Sequence, residues 1–359
     1  MLNKRIVGID AARSLAVIGM VIVNFKVVFG GEGTLWVKTF ASIFEGKAAA
    51  TFVVLAGVGI ALITKNSIVS NNIEKLRTAK TSIIKRVFFL FTIGISFNTI
   101  WSADILHFYG IYMLLVLPLL KSSGRFILLA GSLLILVYPL LMMIWNYETG
   151  WDFDTLTYQD FWTIKGFVRN LFFNGFHPVI PWAAFMVFGY WLGKQDLQNT
   201  KFVKRLFKYS ALAFISIQFL SFVLINQLSD GSQQNTKELT EIFGASPMPP
   251  LPIYMFNGIA IAFTTISACI LIGNKYENNK IIDALNKTGQ LALTFYVAHV
   301  IVGVAVVVAY NPGKIGLYPI EFSVGYALLF YILCIVFATN WLKFNKSGPL
   351  ESLFRKLTN

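Results

Sequence analysis

The chain has 359 residues, 56% of them hydrophobic and 15% aromatic, with only 13% charged. A soluble domain carries about a quarter charged residues, so this composition excludes a soluble globular protein and predicts a polytopic membrane protein. The formal net charge of +13 raises nucleic acid as a partner until the cations are placed along the chain.

The first apolar stretch is RIVGIDAARSLAVIGMVIVN, residues 5–24, with Lys4 and Arg5 at its start. No small-residue cleavage site follows, and the stretch carries polar groups, so it reads as a retained helix rather than a cleaved signal peptide. Asp10 and Arg13 lie three residues apart and are neighbours on one helical face. Arg13 and Asn24 are separated by about three turns, which puts them in line, roughly 16 Å apart. A cation near one membrane surface and an amide near the other form a track for an elongated anion. The plainer reading is a first span with an interfacial ion pair.

Ten apolar runs are long enough to span a bilayer: 10–29, 47–65, 83–101, 104–121, 124–146, 173–193, 206–228, 251–273, 290–310 and 321–342. With the N-terminus inside, the alternating segments hold 22 Lys and Arg on the inner side and 7 on the outer side. That asymmetry predicts an all-α protein of about ten transmembrane helices with both termini cytoplasmic. It also accounts for the basic charge without nucleic acid. No repeat and no soluble domain is evident, so residues 1–359 are expected to form one integral-membrane domain. Cys269 and Cys334 lie within apolar runs; they offer no metal spacing and no evidence of redox compartment.

Two outer segments are long. Residues 147–172 mix Glu148, Asp152, Asp154 and Asp160 with aromatic side chains, as an interfacial segment or a cap over a cavity would. Residues 229–250 are polar, end in Pro247, Pro249 and Pro250, and are expected to be an exposed loop. Gly57, Gly59, Gly94, Gly110 and Gly189, inside apolar runs, predict close helix packing.

Ionisable residues inside spans are costly, and each is a candidate site. All 3 histidines fall in or at the edge of predicted spans. His107 has Asp104 one turn before it, and a carboxylate beside an imidazole orients a general base; the pair could also simply cap a helix. His177, beside Pro178 and Pro181, marks a broken helix that lines a cavity or a solvated helix entrance. His299 has Tyr296 one turn back and no acidic neighbour, and reads best as a hydrogen-bonded core histidine. Lys47 is a further candidate or a snorkelling lysine. The topology places Asn24, Asp104, His107 and His177 near the outer surface.

RIVGIDAARSLAVIGMVIVN resembles the opening helix of the transmembrane acyltransferase superfamily, which includes heparan-α-glucosaminide N-acetyltransferase and the YeiB-like bacterial membrane proteins. ADILHFYGIYMLL, FHPVIPWAAFMVFGYWLGK and TGQLALTFYVAH resemble later segments, in the same order. The resemblance implies a multi-pass enzyme of a bacterial cell membrane. Such an enzyme moves an acyl group, typically acetyl, from cytosolic acetyl-CoA to a glycan or amino-sugar acceptor on the outer face. It implies no metal. It puts Asn24 on the asparagine near the acyl group and Arg13 on an arginine shared with related O-acyltransferases. In the lysosomal enzyme a catalytic histidine follows that asparagine in the first outer loop. Residues 25–46 hold no histidine here, so His107 or His177 would take its place. Cofactor binding is expected from Arg13, Asn24, Lys85 and Arg86, and catalysis from His107, Asp104, His177 and Asn24. Expected partners are the bilayer, acyl-CoA, the acceptor and a second copy of the chain. The alternative is a transporter or flippase for a lipid-linked or small anionic solute, which the same polar residues would serve by lining a path.

Overall fold

The computed structural model describes residues 6–358; Lys4 and Arg5, which entered the charge count, lie outside the described residues. The chain runs through α1 (Ile9–Phe29), α2 (Leu35–Ser42), α3 (Lys47–Val69), α4 (Ile73–Phe97), α5 (Leu106–Val116) and α6 (Gly124–Ile144). A small antiparallel hairpin follows, β1 (Trp151–Asp152) and β2 (Thr157–Tyr158). Then come α7 (Ile164–Arg169), α8 (Val179–Lys194), α9 (Thr200–Leu228), α10 (Gln233–Phe243) and α11 (Pro252–Lys275). The last helices are α12 (Lys280–Gln290), α13 (Ala292–Ala298), α14 (Ala305–Tyr310), α15 (Ile320–Phe344) and α16 (Pro349–Thr358).

The protein is all-α and polytopic. Among the described residues, 7 helical segments are long and apolar enough to cross a membrane. The count is 8 with a pair bent by 47°, Ile164–Asn174 and Val179–Lys194. Two expected runs fall on other kinds of helix. The run 83–101 lies in α4, whose first half carries Glu74, Lys75, Arg77, Lys80, Lys85 and Arg86. The run 104–121 is cut by a 3-10 turn at Leu117–Leu119, where Pro118 removes a backbone donor. Large apolar side chains on α6, α9 and α15, such as Leu133, Phe219 and Ile332, are exposed. Lipid is the solvent such faces fit.

The chain divides into two compact units. The first gathers the described residues up to Phe52, Leu197–Tyr209 and Ile261–Leu357. Its axis is α1, which packs against α12, α13 and α15. Phe25 is fully buried there, with ring contacts to Phe29, Tyr326 and Phe330. The first turn of α1 leaves backbone N–H groups that Gly8, at φ 104, has no side chain to cap. Asn286 of α12 does so instead, its Oδ1 accepting from Ala11 N at 3.0 Å and Gly8 N at 3.4 Å. Glu351 of α16 closes the start of α13 in the same way through Thr294 N, at 2.9 Å.

The second unit gathers Val53–Asp196 and Ser210–Ala260. In it α4 packs on α5, α5 on α8, and α6 on α8. Trp182, Tyr112, Tyr138 and Phe185 are fully buried in it. The helices approach closely at glycine, as expected. A Cβ at Gly94 would strike the backbone N of His107 and stand 2.7 Å from Asp104 Oδ2. The segment expected as an exposed loop at 229–250 contains α10, because Ser232 caps Asn235 N at 3.2 Å and the following residues keep an amphipathic helical period.

Candidate functional site

The second unit holds the first buried polar centre. Asp104 and His107 are 0% and 1% exposed. Asp104 caps α5 through Leu106 N at 2.8 Å, and the same oxygen, Oδ2, meets His107 Nδ1 at 3.1 Å. The two sequence readings, helix cap and oriented imidazole, are therefore both present in one carboxylate. A carboxylate oxygen accepts, so Nδ1 carries the proton and Nε2 of a neutral His107 is left with a lone pair. His107 Nε2 is buried and has no hydrogen-bond partner among the described residues.

His177 sits where α8 is interrupted. The backbone before it forms a π-helical turn at Asn170–Asn174, and Ile180 is non-helical just ahead of Pro181. Breaks of this kind free carbonyl groups, which must find donors inside a membrane. Tyrosines supply them: Tyr112 OH donates to His177 O at 2.5 Å and Tyr138 OH to Phe173 O at 3.1 Å. The imidazole itself stands edge-on to Trp182, ring centres 4.6 Å apart, and lies 6.0 Å from Phe108. His177 Nδ1 and Trp182 Nε1 are also buried without partners.

The segment 147–176 packs beside this centre. Asn174 ties it down: its Nδ2 donates to Tyr147 O and Thr149 O, its Oδ1 accepts from Tyr158 OH, and its carbonyl accepts from Trp151 Nε1. Phe161, 5% exposed, stands edge-on to His107 at 6.2 Å. Within the expected segment 147–172 the chain forms the β1–β2 hairpin and α7, and Phe161 packs on the His107 ring. Burial pushes the Tyr158 phenol up, against the opposing pull of Arg169, which also pairs with Asp160 at 2.6 Å.

The first unit holds the second centre. Asn24 Nδ2 is 2.8 Å from His299 Nε2. His299 Nδ1 bonds the Tyr296 carbonyl, which can only accept. The proton is therefore on Nδ1, and Nε2 accepts from the Asn24 amide. His299 begins a π-helical turn, His299–Val304, between α13 and α14. Single π turns are frequent at functional sites. The Gly303 carbonyl in that turn takes a bond from Tyr326 OH at 3.0 Å. His299 is thus the buried, hydrogen-bonded histidine expected; the identity of its partner was not foreseen.

The cations occupy different settings. Arg13 pairs with Asp10 at 2.5 Å, as the spacing predicts, with its side chain 29% exposed. Lys47 reaches the Ser42 carbonyl at 3.4 Å. Lys85 lines a cavity of about 440 Å³ together with Arg77, Thr78, Thr81 and Ser82 of α4. Arg86, its neighbour, lies half-buried on the same helix. Sequence reasoning passed over two polar residues of the second unit, Trp182 and Asn257. Asn257, an amide in the apolar run YMFNGIAIAF, was the available signal.

Helices long and apolar enough to cross a membrane, with buried polar side chains among them, define a multi-pass membrane protein. The chain belongs to the family described as heparan-alpha-glucosaminide N-acetyltransferase, catalytic, which matches residues 5–228. Residues 190–359 match a second family, described as a protein of unknown function, DUF418. No curated protein and no solved structure matches the chain.

Proposed function

We propose that this protein transfers an acyl group, acetyl in the first instance, from acyl-CoA to an amine or hydroxyl of a glycan-like acceptor at the outer face of a bacterial cell membrane. The observation that carries the reading is the imidazole of His107, oriented by Asp104 with Nε2 bare. A positioned base of this kind removes the acceptor's proton as its nitrogen or oxygen attacks the thioester carbon. The new bond to the acyl carbon forms, the carbon–sulfur bond breaks, and the proton passes through Nε2 to the departing CoA sulfur. His177 serves the acceptor. The cations available to the CoA phosphates are Arg13 in the first unit and Lys85 and Arg86 in the second, where the hydroxyls beside Lys85 add donors of the same use.

The test is CoA release by the purified protein supplied with acetyl-CoA and a panel of amino sugars. Release that requires the acceptor and falls in His107→Ala supports the reading. Neither release nor acetyl-CoA binding, with uptake of the acceptor into proteoliposomes instead, would favour the transport alternative.

A further inference from the structure

Asn257 stands in the first turns of α11, 1% exposed, and among the described residues neither its Oδ1 nor its Nδ2 has a hydrogen-bond partner. A primary amide offers two donors and an acceptor, and burying it unmatched is among the costlier arrangements a fold can hold. The same unit shows how a buried asparagine is handled when its role is structural: Asn174, 0% exposed, has its amide nitrogen and amide oxygen bonded. Asn257 therefore awaits something outside the chain.

Its surroundings say what. One turn earlier on α11, on the same face, Tyr254 packs against Trp182 at 5.9 Å. Trp182 stands on His177, and His177 on Phe108, which adjoins His107. Three helices and the stretch before α8 thus bring the bare groups of His107, His177, Trp182 and Asn257 along one aromatic path. Trp182 only donates, His107 Nε2 only accepts while Nδ1 keeps its proton and donates it to Asp104, and Asn257 does both. Aromatic faces with a mixed set of donors and acceptors fit a ring bearing several hydroxyl or amino groups.

We infer that Asn257 and Trp182 form the acceptor-orienting subsite, holding hydroxyl groups of a sugar ring beside the His107 imidazole. They are positioning residues, and the inference rests on the acyl-transfer reading only for what happens next to the bound ring. The intact protein in detergent is titrated with glucosamine and, separately, glucose, and binding is read by thermal shift and calorimetry. Asn257→Leu should weaken binding tenfold to a hundredfold for both sugars, and Trp182→Phe should weaken it tenfold. Both variants should keep the acetyl-CoA-dependent thermal shift. In turnover they should raise KM for the acceptor while kcat changes less. Asn257→Ser keeps a donor and an acceptor and should fall between, which guards against a misfolded leucine variant. Equal sugar binding by wild type and Asn257→Leu overturns the inference and assigns the amide to buried water alone. No sugar binding by the wild type overturns it as well. CoA release that is indifferent to Asn257 sinks the subsite and spares acyl transfer. Asn257-dependent sugar binding without CoA release does the reverse.

Discussion

The two buried polar centres are built on opposite rules. In the first unit, Asn24 and His299 answer each other, the Tyr296 carbonyl fixes the tautomer, and Tyr326 closes the π turn. In the second, Asp104 satisfies one side of His107, while His107, His177, Trp182 and Asn257 each keep a bare polar atom. The histidines of both centres are equally buried, His107 and His299 each at 1% exposure. A closed network of this kind rigidifies the helices that carry it, whereas an open one is tolerable only if a ligand or water completes it. On the acyl-transfer reading, the contrast separates side chains that hold the fold from side chains available to a substrate, which burial alone does not do.

The largest effect that tests this contrast is on rate. His107→Ala should lower acyl transfer about 10²–10⁴-fold and leave acetyl-CoA binding largely intact, read by CoA release and by thermal shift. Asp104→Asn should also slow transfer, because the amide disturbs the tautomer, yet it should keep the α5 cap, since Asn and Asp cap helices about equally. His177→Ala should act mainly on acceptor affinity. If His177→Ala abolishes turnover while His107→Ala does not, the open centre is read from the wrong imidazole.

Next comes the acyl donor. Acetyl-CoA at a hundredfold excess over Kd should stabilise the folded protein by about 2.7 kcal/mol, measured as a rise in Tm in detergent. Arg13→Ala should reduce that rise. Because Arg13 is engaged with Asp10, Asp10→Asn should not mimic it; equal loss in both variants would make the ion pair, not the cation, the relevant feature.

The closed centre should respond in stability rather than in rate. Asn24→Ala strands the buried His299, at about 1–3 kcal/mol, His299→Ala strands the half-buried Asn24 amide, and the double variant should lose clearly less than the sum. Chemical denaturation of the four proteins completes the cycle. Additive losses would mean the two side chains do not depend on each other.

The smallest effect is a control at the surface. The hydrogen bond and charge of Lys38 hold the Glu32 carboxyl below the usual carboxylate range. A depressed carboxylate adds stability above its unfolded pKa and loses it as pH falls through the folded value. Glu32 is fully exposed, so screening removes most of that gain. Lys38→Met should leave Tm unchanged at pH 7 and at pH 4; a shift at pH 7 that vanishes at pH 4 would show that surface pairs matter here.

Much of the architecture was legible from residue order alone. Apolar length, charge count and spacing are local properties, and they foretold an all-α polytopic chain, the Asp10–Arg13 pair and the Asp104–His107 contact three residues apart. Gly94 and its fellows announced close packing for the same local reason: no Cβ stands in the way. Contacts between distant segments carry no such signature. That Asn24 meets His299, 275 positions away, and that Asn286 caps α1 follow from how helices pack, which depends on all their faces at once. The emptiness of Asn257 is of the same kind. An amide in an apolar run announces a polar group within the membrane; whether the surrounding helices satisfy it, as they do Asn174, or leave it bare is settled only when every neighbour has taken its place.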